Sequence, residues 1–368
     1  MAAADSNRRR PAWLLPTPSR RDEAETEAPV RALLVRLMRG EDLPKEDAAL
    51  LFGAAMDERA TDAQIGAALV ALAIKGETVE ELSGMAEAMR ARAVRIHCRH
   101  TRFIDTAGTG SSYAKTFNVS TAAAFVCAGA GLPVAKHGSR AATSLSGSAD
   151  VLAELGVNVQ VDAKVSERSL NEDGICFLFA PLYHQATARV ANIRRQLGVH
   201  TTFNLLGPLT NPAGAPRQLI GVWHETLLEP LTHTLLALGT EHAWVVHGGD
   251  GLDEITITGL TMVAEARNGE VRRFTIAPED FGMKRRENLD LVRGGTARAN
   301  AELIRAVLGN GSGDAIEIAR DLIVANAAAA LFVGGVESDL RAAAARATES
   351  IRSGAALKKL SALAARTS

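Results

Sequence analysis

From residue 30 to about residue 99, apolar and polar positions alternate with helical spacing. Thr61 with Gln64, and Thr78 with Glu81, match the reciprocal N-cap pattern, in which each side chain of the pair accepts a backbone N–H of the other residue. Ile65, Ala68, Leu69, Leu72 and Ala73 then share one face, and Gly76 stands where a helix should stop. No strand is needed here, so the pattern predicts an all-helical unit over residues 29–100. After Arg102 short β-branched or apolar runs appear at residues 103–106, 133–135, 157–161, 175–179, 219–223 and 243–247. Helical stretches separate most of them, as in a mainly parallel sheet. Residues 262–266 and 271–276, joined through Asn268-Gly269, read as an antiparallel hairpin. The last 70 or so residues, rich in Ala and Leu, are helical again. The expected fold class is α/β: a small all-helical domain, then over residues 101–368 a larger α/β domain whose mainly parallel sheet is flanked by helices. No repeat with a period of roughly 20–50 residues stands out.

Residues 1–28 break this pattern. Arg8, Arg9, Arg10, Arg20 and Arg21 mix with Pro11, Pro16, Pro18 and the acids Asp22, Glu23, Glu25 and Glu27, with too little apolar content to order a core, so a disordered tail is expected. The apolar run at residues 13–15 is too short for a signal peptide, and the acids argue against a transit peptide. The most apolar stretch, residues 119–135, is interrupted by Ser120, Thr121, Gly129, Gly131 and Pro133, which excludes a membrane span. With 368 residues the chain is long enough for two domains. The 41 basic and 42 acidic side chains nearly cancel, which argues against a general nucleic-acid binder. Three widely spaced cysteines fit a reduced, cytoplasmic protein without a disulfide framework.

Two segments carry the chemistry. The run from Asp105 through Gly108, Gly110 and Thr116 to Thr121 follows a predicted strand and opens an apolar helix. Its glycines permit close backbone approach, and free N–H groups and hydroxyls at a helix start favour an anion. The spacing matches neither standard phosphate motif, and alone a structural turn explains it as well as a phosphate cradle. The second segment, Lys136 to Ser148, holds two cations, a histidine and five hydroxyls in 13 residues. A loop gains little stability from such a run, whereas a polyphosphate would use all of it. His97, Cys98 and His100 offer metal ligands, but no second pair follows at zinc spacing. Thr210-Asn211-Pro212 reads as a turn.

Taken together, Gly108-Thr-Gly110, Thr116-Phe-Asn-Val-Ser-Thr121, Lys136-His-Gly138 and Ser146-Gly-Ser-Ala-Asp150 resemble the signature of the anthranilate phosphoribosyltransferase family. Gln64-Ile-Gly66, Lys75-Gly-Glu-Thr78, Arg194 before Leu197-Gly198, the run from Phe203 to Pro212, and Gly251-Leu-Asp-Glu254 extend the resemblance in order along the chain. It implies an active site between the helical and α/β domains, a joining segment near residues 190–210, and a homodimer formed through the helical domain. The reaction it implies, the second step of tryptophan biosynthesis, moves the phosphoribosyl group of phosphoribosyl pyrophosphate to the amine of anthranilate, with magnesium assisting.

By the same resemblance, phosphoribosyl pyrophosphate is bound by Gly108, Ser111, Ser112, Thr116, Asn118, Val119, Ser120 and Thr121. Lys136, His137, Gly138, Ser139, Arg140, Ala141, Ala142, Thr143, Ser144 and Ser148 complete that set. Gly108, Ser139 and Arg194 match positions that touch anthranilate, and Ser120, Asp253 and Glu254 match magnesium ligands. Adjacent carboxylates point apart on a helix or strand, so Asp253 and Glu254 converge on a cation only from irregular backbone, which residues 247–251 supply. No separate catalytic acid or base is implied, because the aromatic amine is already neutral and alignment with leaving-group stabilisation suffices. His137 is expected to bond a phosphate. Three departures stand out: Ser111-Ser112 replace the usual Gly-Asp, Lys115 adds a cation, and Ser139 replaces an Asn. Two rival readings are a pyrimidine nucleoside phosphorylase, whose Lys-x-Ser-Thr-Gly-Gly loop is absent, and a non-catalytic nucleic-acid-binding relative, which would lack the acidic pair.

Overall fold

The computed structural model describes residues 24–110, 116–141 and 145–368, with side chains from Pro29 onward. Helices α1 (Ala24–Met38), α2 (Lys45–Met56), α3 (Asp62–Lys75) and α4 (Val79–Ala91) come first. Next are β1 (Ile104–Asp105), α5 (Val119–Gly129), β2 (Val134–Gly138), α6 (Ser148–Glu154), α7 (Ala163–Arg168), β3 (Ile175–Phe179) and α8 (Ala180–Tyr183). They are followed by α9 (Ala188–Leu197), α10 (Phe203–Leu209), β4 (Arg217–Gly221), α11 (Leu228–Ala237), β5 (His242–Gly248), β6 (Thr261–Arg267) and β7 (Glu270–Ile276). The chain closes with α12 (Ala297–Leu308), α13 (Asp314–Val333), α14 (Leu340–Arg352) and α15 (Ala355–Thr367).

These elements form two compact units. The described part of the first comprises residues 24–91 and 186–203; the second comprises residues 92–185 and 204–368. In the first, both capping pairs form as the spacing predicts. Thr61 N donates to Gln64 Oε1 at 2.8 Å while Gln64 N donates to Thr61 Oγ1 at 3.2 Å. Thr78 N donates to Glu81 Oε2 at 2.8 Å and Glu81 N to Thr78 Oγ1 at 3.2 Å. Gly76, at φ 84°, ends α3 in a conformation that costs a side-chain-bearing residue strain. Ile65, Ala68, Leu69 and Leu72 are buried as expected, but Ala73 is exposed.

Residues 92–100, read from the sequence as the end of the helical domain, belong to the second unit. Val94 N bonds Tyr183 O at 2.8 Å and Ile96 is buried, so backbone pairing and one apolar anchor hold the segment there.

The second unit carries a seven-stranded sheet in the order β3-β2-β1-β4-β5-β6-β7. The first five strands of that order are parallel; β6 and β7 run antiparallel. The expected mainly parallel sheet flanked by helices is therefore what forms. All five residues of β3 are buried, with Ile175, Phe177 and Phe179 in one core and Cys176 and Leu178 in the other, as burial on both faces of a parallel sheet demands. The β6–β7 hairpin turns on Asn268 and Gly269, both at positive φ, as an Asn-Gly turn should.

One expected strand does not form. Residues 157–161 are irregular: Val157 and Val159 alternate into the core, giving the period of a strand, yet among the described residues no strand pairs with them.

Candidate active site

The C-terminal ends of β1, β4 and β5 meet the first turn of α5, the position where open parallel sheets bind ligands. Gly108 continues β1 by a parallel bridge to Gly221, and Thr109 donates to Gly221 O from both its N (2.9 Å) and its Oγ1 (3.1 Å). A pocket opens there, lined among others by Thr106, Gly108, Ser120, Gly221, Asp253, Glu254 and Asn326. Gly221 is obligatory for this packing, since a Cβ on it would stand 1.5 Å from Asp253 O.

Asp253 and Glu254 sit on irregular backbone between β5 and β6, as their adjacency requires. Glu254 is oriented by two donors: Thr116 Oγ1 at 3.1 Å to Oε2, and Ser120 N at 3.3 Å to Oε1. Burial, and then the charge of Asp253, push its carboxyl well above the ordinary range, while Thr116, Ser120 and Lys136 pull the other way. Like charges held together in a half-buried site are what a cation would relieve. Two carboxylates with the Ser120 hydroxyl form a hard, all-oxygen donor set, suited to a cation such as magnesium that keeps waters and phosphate oxygens in its shell. Among the described residues no group of three His, Cys, Asp or Glu gathers to hold a metal, so a cation here would draw on such additional oxygens.

Lys136 projects from β2 toward the same place. Its Nζ donates to Thr106 O at 2.9 Å and Ser120 Oγ at 3.3 Å, and burial lowers its pKa to about 8 against the opposing pull of Asp105 and Glu254. His137, next on the strand, faces the opposite side of the sheet. Its Nδ1 lies 3.0 Å from Gly207 O, and burial with the neighbouring His184 lowers its pKa to about 3. Strand alternation sends the His137 ring to the face away from Lys136.

The other predicted residues divide by what they touch. The Asn118 amide is committed to protein: Oδ1 accepts from Ser146 Oγ (3.2 Å) and Asn300 Nδ2 (3.0 Å), and Nδ2 donates to Ser146 O (3.3 Å). Val119 and Thr121 are buried on α5, and their backbone N–H groups donate to Phe117 O (2.6 Å) and Asn118 O (3.1 Å). Asp150 ties the ends of the hydroxyl-rich loop, accepting from Ala141 N (2.9 Å), Gly147 N (3.0 Å) and Arg140 (2.8 Å). Ser148 Oγ donates to the carbonyl of exposed Ser139 at 3.3 Å, and Gly138 leaves room for it. Ser111, Ser112, Lys115, Ala142, Thr143 and Ser144 lie outside the described residues, as does most of the tail. Arg194 belongs to the first unit. There its guanidinium lies over the Phe203 ring, 5.2 Å from the centroid, and burial lowers its pKa.

Three residues escaped the sequence reading. Asp105 is fully buried, accepting from His137 N at 3.1 Å and Asn211 Nδ2 at 2.7 Å. Burial raises its pKa to about 6, with Lys136 opposing. Asn211, read as part of a turn, also donates to Ala135 O at 2.8 Å, pinning the segment after α10 to the sheet. Asn326, on α13, gives no local signal at all.

Comparison with known proteins places these motifs. A model of the glycosyl transferase family, a/b domain, matches residues 100–357, and one of that family's helical bundle domain matches residues 31–93. An anthranilate phosphoribosyltransferase of Anaeromyxobacter dehalogenans (strain 2CP-1) is 52% identical over 338 residues, 92% of this chain and 98% of the relative. That of Rhodospirillum rubrum is 50% identical over 328 residues, 89% of this chain and 92% of the relative. Among solved structures, the anthranilate phosphoribosyltransferase of Thermus thermophilus superposes with a TM-score of 0.84 at 36% identity, covering 91% of this chain and 98% of its own. The Saccharomyces cerevisiae enzyme in complex with PRPP and Mg gives 0.83 at 26% identity, covering 93% and 98%.

Proposed function

The chain belongs to the anthranilate phosphoribosyltransferase family, and on that footing we propose that it transfers the phosphoribosyl group of phosphoribosyl pyrophosphate to the amine of anthranilate. The nitrogen attacks the anomeric carbon of the ribose, a C–N bond forms, and the C–O bond to pyrophosphate breaks with its electron pair. The amine proton then passes to solvent. An aromatic amine is uncharged near neutral pH, so the protein need not create the nucleophile; it has to align it and stabilise the departing charge.

The observation that carries this reading is the meeting of Gly108, Ser120 and the Asp253–Glu254 pair at one pocket, with buried Lys136 bonded to Ser120. Asp253, Glu254 and Ser120 would hold magnesium, whose chemistry there is neutralisation of pyrophosphate. Gly108 and Thr109 leave backbone close to the ligand. Lys136 supplies positive charge beside Ser120, and Ser139 and Ser148 at the end of β2 offer hydroxyls to phosphate. Arg194 pairs with the anthranilate carboxylate; its planar guanidinium suits a bidentate bond to that group. Two copies of the chain associate through the first unit. Support comes from Met38 on α1 and from Val70 and Ile74 on α3, all apolar and all exposed, on helices that touch each other. No described helix is long and apolar enough to cross a membrane. The free Cys98, Cys127 and Cys176 support a place in the reducing cytoplasm.

Purified protein mixed with phosphoribosyl pyrophosphate, magnesium and anthranilate should quench anthranilate fluorescence as the amine is substituted. A flat trace alongside an active control enzyme would overturn the reading.

A further inference from the structure

We propose that Asn326, midway along α13, is a positioning residue for the acidic pair. By this account its carboxamide grips the backbone of Ile255 and so fixes where Asp253 and Glu254 stand. Every residue from 322 to 331 is buried, and Asn326 alone among them carries a polar side chain. A lone amide in an apolar helix is costly to bury unless it is bonded, and this one is. Oδ1 accepts from Ile255 N at 3.0 Å, while Nδ2 donates to Ile255 O at 2.9 Å and to Leu322 O at 2.9 Å. The amide fits only this way round, because reversal would set its oxygen against two carbonyls.

The grip falls one residue beyond Glu254, and Asn326 lines the same pocket. Ile255 lies in neither helix nor strand, so its buried N–H and C=O have no ladder to join. Two other contacts complete the vice. Gly221 lets Asp253 O lie against β4, and Thr116 with Ser120 fixes the Glu254 carboxylate. Asn326 is thus the link from the rigid central helix to the backbone that carries both carboxylates, the kind of outer support that tunes a metal site without touching the metal.

The inference rests on reading Asp253 and Glu254 as the magnesium-holding pair. Its test uses Asn326→Ala, which removes the amide, and Asn326→Leu, which removes it while keeping the core filled. Each variant and the parent would be titrated calorimetrically with phosphoribosyl pyrophosphate in magnesium, melted, and assayed against magnesium and anthranilate. The expected result is binding weakened about 10- to 100-fold and a matching rise in the magnesium needed for half-maximal rate, with the KM for anthranilate held within about twofold. Variants that melt earlier yet bind phosphoribosyl pyrophosphate and magnesium like the parent would show a merely structural amide and overturn the proposal. A parent that itself fails to bind would instead count against the proposed function.

Discussion

At Gly138, the last residue of β2, a Cβ would stand 2.2 Å from Ser148 Oγ and 2.9 Å from Phe177 Cε2. The serine hydroxyl can swing aside, but the Phe177 ring is locked in the core. Gly138→Ala should therefore cost about 1–3 kcal/mol by overpacking. It should also raise the KM for phosphoribosyl pyrophosphate, because Ser148 and the Ser139 carbonyl shift together. Denaturant unfolding and steady-state kinetics check both, and an unchanged pair of values would mean that the strand end yields freely. Residues of this kind were half legible. Gly138, Lys136 and the Asp253–Glu254 pair announce themselves by type and spacing, whereas the facing of His137 follows from strand alternation that only the formed sheet fixes. Asn326 and Gly221 were illegible for a different reason. Their partners, Ile255 and Asp253, lie far away along the chain, and nothing in the sequence immediately around Asn326 or Gly221 looks chemical.

Three adjacent strands share one buried carboxylate. Glu265 of β6 stands in register with Trp244 of β5 on one side and Arg272 of β7 on the other. Its Oε1 accepts from His242 Nε2 at 2.8 Å and Trp244 Nε1 at 2.9 Å, and Oε2 accepts from Arg272 Nε. Burial alone would raise its pKa, but the bonds from His242, Trp244 and Arg272 outweigh it and bring the value down from 4.5 to about 2. The folded form therefore prefers the ionised carboxylate. The resulting stability is fully present above pH 4.5 and is lost as the pH falls toward 2. Glu265→Gln should lower neutral-pH stability by about 2–3 kcal/mol, the exposure of Arg272 being allowed for, and flatten the acid limb. Unfolding curves across that pH range decide it; parallel acid limbs in parent and variant would refute the account. The hairpin bearing this cluster was legible because an Asn-Gly turn is a local instruction. Residues 157–161 misled for the converse reason: alternation reports which side chains are buried, not whether a second strand is there to bond the backbone.

For the whole molecule, the leading claim is association through the first unit. Ile74, 82% exposed near the end of α3, is the most exposed large apolar side chain among the described residues. Ile74→Glu should leave the fold intact and shift the protein from two copies to one, read by sedimentation. A variant that stays paired would move the interface elsewhere, and a monomeric parent would end the claim. The broad division into helical and α/β parts was legible from periodicity, but its course along the chain was not. The first unit takes residues 24–91 and then, after nearly a hundred residues of the second, residues 186–203, whose α9 packs on α2 and α3. That detour orders events during synthesis. When the ribosome has released α1 to α4, the groove awaiting α9 is still open. Only once β1, β2 and β3 have also emerged can the bundle be finished, so the amino-terminal half cannot mature as a free-standing piece.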